Sequence, residues 1–443
     1  MSLQIIWRKF LVPGPAQPHL TRGRLIEHMA AGRAPGCRLT VVRGGPGTGK
    51  TTLLADYTRS IESPLLWLGL APGDRDPAAM AAHVLAGVAD RVPDLSAQPR
   101  AILDSLGRSG LQATFGALCD ELGDRPLVLV FDDAQHLGSD PDTLGGLETL
   151  VRYFPDPGQV ILAGRGIPEI RMADLRLRGE LLELDEEDLA FRPEEIDALV
   201  GFGPDVARDL CERTRGWAAG VAFAARGADR GPLQALDHPE ALHAYLGEEF
   251  LSGDLAPLVQ ALMPLAFAPH LALSATGAEA VGGARRLAAL RGFVRQTDAG
   301  LEINPLFREW LQREFVATRP LAEQATVFRA LADRAEPGAA IGLLLRAGDV
   351  AEAQRILVEA FQPFLRDGRE ATVAEAPGCV PGATAPGVGV VAGHRGRVAA
   401  AVGELPGRGG TPGGRGAAGA RRGGRRLPDH GPGFAGGRPR RPG

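Results

Sequence analysis

The chain has 443 residues, with 49 Lys+Arg against 53 Asp+Glu, 60 Gly, 35 Pro and four Cys. This length implies about three domains, and 44% apolar with 23% charged residues excludes wholesale disorder or a collagen-like fibre. No apolar run reaches the roughly 18–20 residues of a membrane helix, and the start, where Arg8 and Lys9 follow Ile5, Ile6 and Trp7, is not a secretory signal. A cytoplasmic protein with no membrane contact is expected. Its net charge of −4 hides two unlike parts: residues 377–443 carry +9, which leaves −13 on the first 376. Cys37, Cys119, Cys211 and Cys379 are scattered, without C-x-x-C spacing or a nearby His at ligand spacing. Reduced thiols are expected, not a zinc site or a disulfide framework.

In chain order, Leu39–Val42 is a short β-branched apolar run that enters a glycine-rich loop, which predicts a buried strand. Thr51–Arg59 reads as a helix and Leu65–Leu70 as a second strand. Pro77–Val88 reads as a helix with Asp76 as N-cap and Pro77 in its first turn. The helix Leu111–Leu122, the strand Leu127–Phe131, the helix Thr143–Tyr153, and the strands Val160–Ala163 and Leu181–Leu184 follow. Continuous apolar strands alternating with helices predict a parallel sheet with helices on both faces, an α/β fold over 36–187 after an N-terminal segment, 1–35.

From Asp188 the strands stop. Pro193–Val200, Asp205–Arg213 and Gly216–Ala225 predict a small helical lid over 188–236. Pro239–Phe250 and Leu255–Leu262, a β-hairpin of Phe293–Thr297 and Leu301–Asn304, and the helix Pro305–Phe315 suggest a winged-helix unit over 237–318. Residues 321–366, with a turn at Gly348-Asp349, look like the start of a helical repeat over 319–376. In 377–443, 21 Gly, 11 Arg, 10 Ala and 9 Pro dominate, and a disordered tail is expected.

The segment Gly44-Gly45-Pro46-Gly47-Thr48-Gly49-Lys50-Thr51 fits G-x-x-x-x-G-K-[ST] without mismatch, between a predicted strand and a predicted helix. Glycines let backbone N–H groups converge on phosphate oxygens, and the helix start adds its positive end. Lys50 supplies a charge for the β and γ phosphates and Thr51 a hydroxyl for Mg²⁺; Thr52 completes the binding set. ATP or ADP with Mg²⁺ is therefore the expected cofactor pair. The strand ending in Asp132-Asp133 puts carboxylates where open α/β sheets bind ligands. Asp132 is expected on the metal, and Asp133 is expected to orient or deprotonate the attacking water. Arg165, just after Val160–Ala163, stands where it could touch the γ-phosphate. His136 is explained equally well as a polar residue opening a helix and is given no role.

Together these features resemble the signal-transduction ATPases with numerous domains (STAND), and within them the large LuxR-type regulators of the MalT kind. The resemblance is spread over most of 18–375. It is carried by Thr21-Arg22-Gly23-Arg24-Leu25-Ile26-Glu27, Gly45–Leu54, Trp67-Leu68-Gly69-Leu70, Asp74-Arg75-Asp76-Pro77, Val130–Asp133 and Gly164-Arg165. Two blocks without obvious chemistry, Asp188–Glu195 and Thr214–Gly220, are the family-specific part. The resemblance implies an adenine-side role for Arg22. It also implies weak ATPase activity used as a switch, closed with ADP and open with ATP. Its partners would be a small-molecule or protein inducer and, in the ATP state, further copies of the chain. Many family members have His where Asn304 stands before Pro305; Asn can hydrogen-bond there but cannot carry charge.

The family ends in a helical-repeat array and a DNA-binding domain, and neither is expected beyond the first repeat here. Gly, Ala, Arg and Pro all have GC-rich codons, and the chain holds 47 Arg against two Lys. Residues 377–443 are thus expected to be out-of-frame translation, with the DNA-binding domain lost. Two other readings compete. One is a mechanical or DNA-handling ATPase of the AAA+ kind. The other is a nucleic-acid binder using the RGG-like Arg421–Arg426.

Overall fold

The computed structural model describes residues 5–366, apart from 16, 33–35, 157, 228–230, 238, 253–254, 269–289, 291 and 298–299. The expected tail, 377–443, and the end of the expected repeat, 367–376, lie outside the described residues. The five strands are β1 (Leu39–Arg43), β2 (Leu65–Gly69), β3 (Val128–Asp132), β4 (Gln159–Gly164) and β5 (Leu181–Leu184). They form one sheet in the order β2-β3-β4-β1-β5, parallel throughout.

The period-2 alternation of the strands sends their side chains to two faces. Leu39, Val41, Leu66, Leu68, Leu129, Phe131, Val160 and Leu162 join one apolar core. Helices α3 (Pro77–Arg91), α5 (Leu111–Leu122) and α6 (Pro141–Tyr153) close it, with α4 (Gln98–Leu106) packed between α3 and α5. Val42, Trp67, Val128, Val130, Ile161 and Ala163 point the other way, onto Leu25 and Met29 of α1 (Gly23–Gly32) and Leu53, Leu54 and Tyr57 of α2 (Lys50–Arg59). Burial on both faces explains why these strands are continuously apolar.

Local capping agrees with the sequence. The Asp76 side chain accepts from the Ala79 N–H at 3.3 Å and starts α3, which runs three residues beyond the expected Val88. Helices α1, α4 and α7 (Ala173–Arg178) were not anticipated. Helix α4 holds Pro99 and α1 starts and ends on glycine. Burial of Leu25 and Met29, one turn apart, holds α1 in place where propensity does not.

After Leu184 the chain is helical, with α8 (Glu186–Leu189), α9 (Pro193–Val200), α10 (Pro204–Thr214), α11 (Ala218–Arg226), α12 (Pro232–Asp237), α13 (Glu240–Phe250) and α14 (Ala256–Leu262). The antiparallel hairpin β6 (Val294–Thr297) and β7 (Gly300–Ile303) follows, as expected. It leads into α15 (Pro305–Thr318), α16 (Leu321–Ala332), α17 (Pro337–Arg346) and α18 (Val350–Arg366). Gly348, at φ +81°, makes the left-handed turn between α17 and α18. One apolar cluster runs from Ile196 through Phe250, Phe293 and Trp310 to Ala353. The helices after the sheet, the hairpin and the four helices that follow it therefore share one core. Within it Phe293–Phe307 and Phe307–Trp310 ring centroids lie 4.8 and 5.3 Å apart, inside the range of favourable aromatic pairs.

Candidate nucleotide site at the sheet edge

The order β2-β3-β4-β1-β5 brings the C-terminal ends of β3, β4 and β1 side by side, which is where a doubly wound sheet opens its ligand crevice. The loop Gly44–Gly49 leaves β1 there and turns into α2. Gly47 and Gly49 take φ values of +69° and +84°, which side chains rarely adopt. A Cβ on Gly44 would lie 2.6 Å from Thr48 Oγ1, and one on Gly47 would lie 2.6 Å from the Ala219 Cβ. Gly49 is the N-cap of α2 and offers no side chain to its first N–H groups, which leaves those donors for an anion.

Lys50 is buried, and its Nζ donates to the Gly44 and Gly45 carbonyls at 2.8 Å each. Burial lowers its pKa, and the carboxylates of Asp133 and Asp132 oppose that shift. Thr48 Oγ1 donates to the Gly45 carbonyl at 2.9 Å. Thr52 sits half-buried one residue after Thr51 in the first turn of α2.

Thr51 Oγ1 donates to Asp132 Oδ2 at 2.9 Å, so the structure brings the two expected metal-side residues together. Asp132 is 4% exposed. Burial, with repulsion from Asp133 next, pushes its pKa up to about 6, while the Thr51 bond works against the rise. A hydroxyl and a buried carboxylate are hard oxygen donors, the set Mg²⁺ takes beside nucleotide phosphates. The residues present therefore fit the expected cofactor pair. Asp133 sits in the left-handed region at φ +57°, and its carboxylate accepts from Gln135 Nε2 at 2.9 Å.

Arg165 and Arg22 are engaged elsewhere on the protein. An Arg165 Nη2 lies 2.9 Å from Glu249 of α13, and the Arg165 N–H donates to Gln135 Oε1 at 3.1 Å. Arg22 is buried behind the loop. It donates to the Leu189 carbonyl at 2.5 Å and the Gly49 carbonyl at 3.3 Å and lies over the Phe191 ring. Burial lowers its pKa to about 10. Its visible work is to tie α1 to the loop and to the start of the helical region.

Several residues at the loop were not marked by the sequence. Trp217 Nε1 donates to the Pro46 carbonyl at 3.0 Å, and the Ala219 N–H donates to the Gly47 carbonyl at 2.9 Å. The Glu186 carboxylate accepts the Gly45 N–H, and a Cβ on Gly45 would lie 3.2 Å from the Phe293 ring. The one available signal was the block Thr214–Gly220, which matched the family without suggesting chemistry. Asn304 caps α15, accepting from the Leu306 N–H at 3.1 Å, and its Nδ2 donates to the Thr214 carbonyl at 2.9 Å. Its amide thus joins α15 to the end of α10.

Cys37, Cys119 and Cys211 are free thiols; Cys379 lies outside the described residues. Among the described residues no group of three or more His, Cys, Asp or Glu could hold a metal. No helix among them is long and apolar enough to cross a membrane.

Residues 33–171 match the family model described as an AAA domain. The HTH-type transcriptional regulator MalT of Klebsiella pneumoniae strain 342 is 28% identical over 217 residues, 47% of this chain and 24% of that protein. MalT of Serratia proteamaculans is 29% identical over 263 residues, 56% of this chain and 29% of that protein. The aligned region is thus under a third of the MalT relatives' own length. Among solved structures, a Walker-type ATPase of Pyrococcus abyssi matches with a TM-score of 0.44 and 13% identity, covering 68% of this chain and 98% of that one. A STAND protein with a tetratricopeptide-repeat sensor from Pyrococcus horikoshii matches at 0.37 and 12%, covering 83% and 54%. Residues 33–171 are a P-loop domain of the AAA type, and about half of the chain is similar in sequence to part of the transcriptional regulator MalT.

Proposed function

We propose that this chain is the nucleotide-operated switch of a MalT-like transcription regulator, closed with ADP, open with ATP and reset by slow hydrolysis. The observation that carries the reading is that the helical region bonds to the phosphate loop itself, through Ala219 to Gly47 and Trp217 to Pro46. A loop that reshapes around a different phosphate count changes the partners of those two donors, so the nucleotide acquires different affinities for the closed and open forms.

In this reading Lys50 and the first N–H groups of α2 hold the phosphates, with Thr51 and Asp132 on Mg²⁺. The metal, when bound, neutralises charge on the β and γ oxygens. Asp133 orients the attacking water and accepts its proton. Arg165, once it exchanges Glu249 for the γ-phosphate, supplies positive charge as the transition state develops. Arg22 lies on the adenine side. An inducer, small molecule or protein, favours the open form, and open copies associate.

The test is nucleotide content and exchange. The purified protein is expected to carry ADP and to turn over slowly. Trp217→Phe keeps an aromatic ring but loses the indole donor, and is expected to speed ADP release by about 3–10-fold, the worth of one hydrogen bond. Fast unstimulated turnover by constitutive rings would instead favour a mechanical AAA+ ATPase.

A further inference from the structure

The turn after β3 carries a residue that none of the chemistry above uses. Gln135 lies in the 3-10 turn Ala134–His136, half-buried, and both ends of its amide are engaged. Its Nε2 donates to Asp133 Oδ1 at 2.9 Å, and its Oε1 accepts the Arg165 N–H at 3.1 Å. The fit is close on the β4 side, where a Cβ on Gly164 would come within 2.6 Å of that Oε1. The turn itself is held by the His136 N–H on the Asp133 carbonyl at 3.0 Å, and by the Asp133 N–H on Asp132 Oδ1 at 3.1 Å.

We infer that Gln135 is a positioning residue for ATP hydrolysis: its amide aims the Asp133 carboxylate and sets it in register with the peptide of Arg165. This rests on the assignment of Asp133 as base and Arg165 as the γ-phosphate arginine. Asp133 stands in the left-handed region just after a strand, and its half-buried carboxylate takes its direction from the Gln135 donor. The Gln135 donor fixes one oxygen, and a carboxylate keeps acceptor capacity on the other for a water. The opposite end of the amide holds the Arg165 peptide just after β4, so base and arginine are tied to one side chain. Gln135 touches neither the loop nor the Thr51–Asp132 pair in its bonds, so its effect falls on turnover and not on nucleotide affinity.

The experiment measures single-turnover ATP hydrolysis and equilibrium ADP binding for wild type, Gln135→Ala, Gln135→Glu, Asp133→Asn and the double variant Asp133→Asn/Gln135→Ala. Gln135→Glu is nearly isosteric and keeps the acceptor for the Arg165 N–H, but loses the donor to Asp133. Both Gln135 variants are expected to slow hydrolysis by about 10–100-fold, the cost of a misplaced catalytic group, with ADP affinity changed less than about 2-fold. The double variant is expected to be no slower than Asp133→Asn, because two residues acting as one unit are not additive. A wild-type rate for Gln135→Glu would reduce the amide to a clip between strands and overturn the inference. So would a wild-type rate for Gln135→Ala while Asp133→Asn is slow. If Asp133→Asn itself keeps the wild-type rate, the base assignment fails and the role of Gln135 falls with it.

Discussion

The sheet unit and the helical region are built on opposite terms. In the sheet unit the decisive groups are backbone and charge: a loop at φ values only glycine takes easily, Lys50 on two carbonyls, Thr51 on Asp132. Their geometry is local to a few residues at three adjacent strand ends. The helical region holds one continuous apolar cluster from Ile196 to Ala353, in which the rings of Phe250, Phe293, Phe307 and Trp310 pack edge-on, tilted or stacked against one another. It meets the loop through polar contacts at Trp217 and Ala219, and the residue after β4, Arg165, through Glu249. One region carries the candidate site, the other packs an apolar core beside it.

The largest expected effect separates the two regions. Phe250 is fully buried among Phe293, Phe307 and Trp310, and Phe250→Ala is expected to cost the helical region about 3–5 kcal/mol. Calorimetry should then show an early transition while the sheet unit melts near its wild-type temperature. One joint, lowered transition would mean that the two regions unfold as a single unit. Lys50→Ala attacks the other side of the comparison. Loss of charged hydrogen bonds to phosphate, worth about 1.5–3 kcal/mol, is expected to weaken ADP binding by about 10–150-fold by titration calorimetry, with the helical region unaffected. Wild-type retention of ADP would refute the site.

Asp132 ties stability to function within the sheet unit. Its pKa of about 6 lies above the ordinary 3.8. As pH rises between those values the unfolded chain gives up its proton first, and the nucleotide-free fold loses stability. The loss is complete above about pH 6 and absent below about pH 4. Asp132→Asn is therefore expected to stabilise the nucleotide-free protein at pH 7 by on the order of 3 kcal/mol, read as a raised melting temperature, with no gain at pH 4. It should also abolish Mg²⁺-dependent hydrolysis. An equal shift at both pH values would place the cause elsewhere. The smallest effect belongs to the junction: the Arg165–Glu249 pair is 34% and 26% exposed, and such pairs contribute up to about 1 kcal/mol. Glu249→Gln is expected to speed ADP release by no more than about 5-fold and to remove part of its salt dependence.

The phosphate loop was legible because its demands are written into consecutive residues. Positive φ needs Gly47 and Gly49, a point charge needs Lys50, and a strand end needs Asp132. The strand pattern was equally plain, since burial on both faces requires unbroken apolar runs. Helices α1 and α4 were not legible, because burial of Leu25, Met29 and Leu103 holds them against weak local signals. Asn304 shows the same limit. Its place before Pro305 marks the start of a helix, and in the fold it caps α15, yet its amide also reaches Thr214, ninety residues away in the chain. Arg22, whose adenine-side role is implied by the resemblance alone, also reaches the Leu189 carbonyl, a contact that nothing near it in the chain announces.

By itself the sequence determined the parallel sheet, the loop that binds phosphate and the carboxylates beside it, because hydrophobic period, glycine backbone freedom and charge act over a few residues. Which residues lie against that loop was decided by tertiary structure alone. Trp217 meets Pro46 and Glu186 meets Gly45; beside the loop, Glu249 meets Arg165, and Gln135 joins Asp133 after β3 to Arg165 after β4. Contacts of such separation depend on how helices and strands stack, and a single hydrogen bond is too weak and too distant in the chain to leave a pattern in it.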